Sequence, residues 1–112
     1  MTAIAHLTPV ECQKIFKVAL HFLAISTGVQ PDQIMSKSRV VEVVDARCLL
    51  CWCLRSHGIS LPTIARLLNR DRSAAHYLVD RCERLTAAYP RFSSLRDGIA
   101  KSIADDLKAV PF

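Results

Sequence analysis

The chain has 112 residues, 51% of them hydrophobic and only three of them glycine, which suits one folded unit and excludes a disordered or linker-like protein. The uncharged stretch from Val18 to Gln30 contains polar residues and is too short to span a bilayer. Fifteen Lys and Arg against ten Asp and Glu leave a formal charge of +5, and ten of the fifteen cations are arginine.

At the start of the chain no basic segment, apolar run and small-residue cleavage site follow one another, so a cytoplasmic setting is expected. Five cysteines form an odd set, which predicts reduced thiols rather than a disulfide framework. The first element is announced by "TPVE", Thr8 to Glu11, a capping box with Pro9 at the first helical position. Ile15, Val18, Ala19, Phe22 and Leu23 then recur at helical spacing until Gly28, predicting a helix from about Pro9 to Thr27. "PDQIMSK" follows, with Pro31 placed to start a short helix whose Ile34 and Met35 turn inward.

In "RVVEVVDARCLLCWCLRSH" the β-branched opening is compatible with a strand, but no other segment alternates well enough to pair with it. A central helix from about Val43 to Ser56 is therefore expected, apolar on nearly every side and closed by Gly58. "SLPTIARLL" opens on Ser60 as a cap and turns Ile64, Leu67 and Leu68 inward. Asn69 and Arg70 make a turn, and Asp71 caps the next helix through its carboxylate. In that helix, about 71–88, Ala75, Leu78, Val79, Cys82 and Leu85 form the buried stripe, with Arg72, Ser73, His76, Asp80 and Arg84 opposite. Tyr89-Pro90 breaks it, and Leu95, Ile99, Ile103 and Leu107 mark a last amphipathic helix ended by Pro111. The expected fold is all-α, a compact single domain of about five to six helices over residues 1–112, with its core at 9–109.

The pair of helices around residues 68–71 has the form of a helix-turn-helix. In that motif the second helix enters the DNA major groove and its first residues meet base edges. Those residues are Arg72, Ser73 and His76 here, with Arg70 just before them. Arginine can bond guanine O6 and N7 together, and Ser73 with the free N–H groups of the first turn can take phosphates. Residues 60–91 carry six Arg against Asp71, Asp80 and Glu83, the local basic excess expected of a nucleic-acid binder.

Three stretches carry a resemblance to a known family. "DQIMSK" at 32–37, "SLPTIARLL" at 60–68 and "RDRSAAHYLVDRCERL" at 70–85 resemble the C-terminal DNA-binding domain of the replication initiator DnaA, over roughly residues 12–107. The resemblance implies a helical domain that binds double-stranded DNA. It implies that Asp71 caps the recognition helix and helps fix the base-reading side chains, and that Arg47 and Arg55 reach phosphates from the central helix. Lys37, Arg39, Arg66 and Arg70 complete the expected phosphate-contacting set. The chain departs from the family where His-Thr-Thr is replaced by Arg72-Ser73-Ala74. It departs again where an arginine-rich loop is replaced by "SRVVEVVD", with Arg39 as its only cation.

No G-x-x-x-x-G-K-[ST] loop occurs, so ATPase activity is not expected. "CLLCWC" has the C-x-x-C spacing of half a zinc site, but inside an apolar helix it reads as buried hydrophobic thiols. No metal, cofactor or catalytic set is expected: Asp105 and Asp106 diverge by about a hundred degrees on their helix, and His21 and His57 read as packing or capping groups. The expected function is a replication or transcription regulator acting on duplex DNA, with a protein of those systems as a further partner. The competing expectation is a protein-interaction module on the same fold, with Trp52 and Phe112 as anchors.

Overall fold

The structure is a computed structural model that describes residues 7–109. Among them are six helices and no strand: α1 (Pro9–Thr27), α2 (Pro31–Ile34), α3 (Val41–Ser56), α4 (Leu61–Leu67), α5 (Arg72–Ala88) and α6 (Pro90–Ala109). The all-α expectation holds, and the bounds of α1 agree with its caps. Thr8 N–H donates to Glu11 Oε1 at 2.8 Å and Glu11 N–H to Thr8 Oγ1 at 3.1 Å, so two otherwise orphaned donors are satisfied reciprocally. At the other end Gly28 adopts φ 75°, where a Cβ would be strained, and returns its N–H to Ala24 O at 2.9 Å. Pro111 and Phe112 lie outside the described residues.

The β-branched stretch is helical from Val41, two residues earlier than its pattern suggests. Val40 and Val41 are exposed, so the central helix becomes apolar all round only from Ala46. From there Ala46, Cys48, Leu49, Leu50, Cys51, Cys53 and Leu54 are all buried, and α1, α4, α5 and α6 pack around them. Fully burying one such leucine contributes about 1.5–3 kcal/mol. α3 ends in a Schellman turn: Gly58 at φ 92° donates to Arg55 O at 3.0 Å and Ile59 N–H to Leu54 O at 3.2 Å.

A single residue separates the last two helices. Tyr89 is extended (φ −129°, ψ 109°), as a residue preceding proline prefers, and this turns α6 back along α1. Ile99 and Ile103 of α6 are buried, while Leu95 and Leu107 are half-buried. Arg96 lies over the Trp52 ring at 4.3 Å, so α6 also covers the indole on α3.

Candidate nucleic-acid interface

The turn between α4 and α5 is fixed by its backbone. Arg70 N–H donates to Ala65 O at 2.8 Å and Asn69 N–H to Arg66 O at 3.1 Å, a second Schellman arrangement. It requires a left-handed residue, and Asn69 supplies it at φ 55°, a conformation asparagine tolerates better than most side chains. Asp71 then starts α5. Its Oδ1 accepts the Ala74 N–H at 2.8 Å and the Ser73 hydroxyl at 2.7 Å. These bonds, the Ser73 hydroxyl first, hold the Asp71 carboxyl below the usual carboxylate range.

The result is a helix start whose side chains project. Arg72, Ser73 and His76 are all exposed. Together with Arg55, Ser60, Leu61 and Pro62 they line an open groove of about 460 Å³. The last turn of α3 and the first turns of α4 and α5 thus bring Arg55 to the residues expected to face bases. Ser73 is partly committed, because its hydroxyl proton goes to Asp71, but its oxygen keeps acceptor capacity. Beyond the second turn the outer face of α5 is compensated. Arg84 pairs with Asp80, and its guanidinium lies 5.9 Å from the Tyr77 ring.

The other flank of α5 borders a cleft of about 670 Å³, closed by the α2–α3 loop and the start of α3. Lys37, Arg39 and Arg70 line it, so α5 rises as a ridge with cations on either side. Arg66 is set apart. It borders a different groove beside the start of α1, where its Nη2 donates to the Thr63 hydroxyl at 3.1 Å.

Arg47, expected among the phosphate contacts, lies at the base of the larger cleft. It is only 6% exposed, and it donates from Nε to Ile34 O at 2.8 Å, from Nη2 to Ser36 O at 2.7 Å and from Nη1 to Ser38 O at 3.2 Å. It therefore clamps the α2–α3 loop rather than extending from an open helix face to a flanking strand. Burial, then the like charge of Arg70, pushes its pKa below the ordinary arginine value.

Two residues escaped the pattern. Tyr77 is 51% exposed and stands on the wall of the larger cleft. A helical wheel places it only about 40° from Ser73, so the signal existed. Arg81 meets Asp45 of α3 at 2.9 Å, a long-range pair that no spacing reveals. The cysteines are all buried; desolvation pushes Cys51 and Cys53 up to about 12, and contact with Cys82 raises Cys48 further. Cys48, Cys51 and Cys53 are therefore protonated core groups at neutral pH. Trp52 is half-buried beneath Arg96 and is not a free anchor; Phe112, the other one expected, is not among the described residues. His57 is half-buried at the end of α3, where desolvation lowers its pKa. No helix among the described residues is long and apolar enough to cross a membrane.

Residues 17–81 of the 112-residue chain match the family described as bacterial dnaA protein helix-turn-helix. The match runs from α1 through the turn at Asn69 into the middle of α5. No curated protein matches the chain.

Proposed function

The chain belongs to the bacterial DnaA helix-turn-helix family, a DNA-binding family, and we propose that it binds duplex DNA by laying the first two turns of α5 in the major groove. In this reading Arg72, Ser73 and His76 meet base edges, while Asp71 holds the helix start and the Ser73 hydroxyl in place. Lys37, Arg39, Arg55 and Arg70 hold phosphates on the two flanks of the ridge. Arg66, on its separate groove, would reach only a strand that curves toward α1. Arg47 leaves the phosphate set and becomes a positioning residue for the loop that carries Lys37 and Arg39.

One observation carries the proposal. The exposed start of a capped helix, where Arg72 has no carboxylate partner among the described residues, is flanked on both sides by arginines. A duplex presents the complementary form, a groove of base edges between two phosphate strands. With no nucleotide-binding loop in this sequence, the domain acts by occupying DNA, as a cytoplasmic regulator of replication or transcription within a single folded unit. Selection of bound duplexes from a random pool at low and moderate salt tests this directly. A common short motif should survive the higher salt. A pool that stays random at both salts would remove base reading, and binding to no duplex would favour the protein-interaction alternative.

A further inference from the structure

α5 turns Ala75, Leu78 and Cys82 into the core. At about 100° per residue, the line opposite them runs near Ser73 and Asp80, with His76 and Tyr77 about 50° to either side and Arg72 about 90° away. Tyr77 therefore points outward as directly as His76 and more directly than Arg72. It is exposed, and it stands one turn beyond Ser73, about 6 Å farther along the helix. Asp80, the carboxylate on the same face, is paired with Arg84.

The ring is also held in place. On one side the Arg84 guanidinium lies 5.9 Å from its centroid, within cation–π range. On the other, Tyr77 shares the wall of the larger cleft with Arg81, which Asp45 of α3 fixes at 2.9 Å. The Arg81 pKa is raised, first by Asp45 and in smaller part by the Tyr77 hydroxyl, which places the phenol oxygen beside Arg81. What α5 offers a ligand at this position is then the apolar part of an oriented ring. On the major-groove edges of the base pairs the donors and acceptors are polar, and the thymine 5-methyl is the apolar group. An uncharged ring with its hydroxyl turned aside gains most from that methyl.

We propose that Tyr77 is a specificity-determining residue that reads a thymine 5-methyl group on a base pair neighbouring those met by Ser73 and His76. This role rests on the placement of α5 in the major groove and adds to it one residue and one base identity.

The test takes the full chain and a duplex bearing the motif selected from the random pool. Each thymine in turn is replaced by deoxyuridine and each guanine by 7-deazaguanine, and fluorescence anisotropy follows binding. Deoxyuridine at one position should weaken binding of the native chain about fourfold, the loss expected when one methyl group leaves an apolar contact. Tyr77→Ala should bind the thymine and deoxyuridine duplexes alike, and Tyr77→Phe should restore the fourfold difference. The 7-deazaguanine series removes the N7 acceptor that Arg72 would use, so it reports the groove placement by itself. Guanine sensitivity without thymine sensitivity sinks the Tyr77 role alone, while loss of both removes the groove placement and the role with it. The role also fails if Tyr77→Ala keeps the full deoxyuridine effect. It fails equally if Tyr77→Phe weakens all duplexes alike, the mark of a backbone contact by the hydroxyl.

Discussion

Arg72 and Arg55 border the same groove from different helices, so removing each should read differently in a binding assay. Arg72→Ala should relax preference at one or two base pairs by about 1–3 kcal/mol each, because a bidentate contact to a guanine edge discriminates by that much. Arg55→Ala should instead weaken every duplex by a similar factor, as expected of a phosphate contact. Affinities measured on a panel of single-base variants separate the two, and uniform losses from Arg72→Ala would remove its base-reading role. Arg47 belongs to stability rather than contact. Arg47→Met should cost about 2–4 kcal/mol in chemical denaturation, since it leaves the Ile34 and Ser38 carbonyls without their donor and Ser36 with Arg70 alone. Arg47→Lys should not restore the loss, because one ammonium cannot meet three carbonyls along a planar fork.

Among the elements, the α4–α5 turn decides how the start of α5 is presented. Asn69 carries the left-handed backbone that lets Arg70 N–H reach Ala65 O and start α5 at its observed angle. Asn69→Val should destabilise the fold by about 1–2 kcal/mol, the steric cost of a left-handed residue with a branched Cβ. Asn69→Gly should be neutral or slightly stabilising, and thermal unfolding distinguishes the two. α6 acts at the opposite end of the molecule. By packing against α1 and α5 and placing Arg96 over Trp52, it closes the core without covering residues 72–76.

At the scale of the whole molecule, the free cations rather than the net charge set the response to salt. Arg84, Arg96 and Lys101 are paired with carboxylates, and Arg81 with Asp45. Lys37, Arg39, Arg55, Arg70 and Arg72, which have no ion pair among the described residues, lie along the α5 ridge and its two flanks. If four to six of them neutralise phosphates, the logarithm of the binding constant should fall with the logarithm of salt at a slope of about −4 to −5. A slope near zero would point to an apolar interface with a protein instead.

Sequence by itself determined the helices, their caps and the break between α4 and α5, because these depend on neighbours within a few positions. Thr8 with Glu11, Ser60, Asp71 and the glycines at 28 and 58 state their roles within one turn of chain. The exposed arc of Arg72, Ser73 and His76 followed from the same local periodicity. What each cation does was decided only by the tertiary structure. Arg47 and Arg55 sit on one helix, yet the first is drawn under the α2–α3 loop by three carbonyls while the second stays in solvent. Arg70 meets Ser36 across 34 positions of chain, and Arg81 meets Asp45 across 36. Charges act through space, so periodicity along one helix gives no account of contacts that exist only once distant segments pack together.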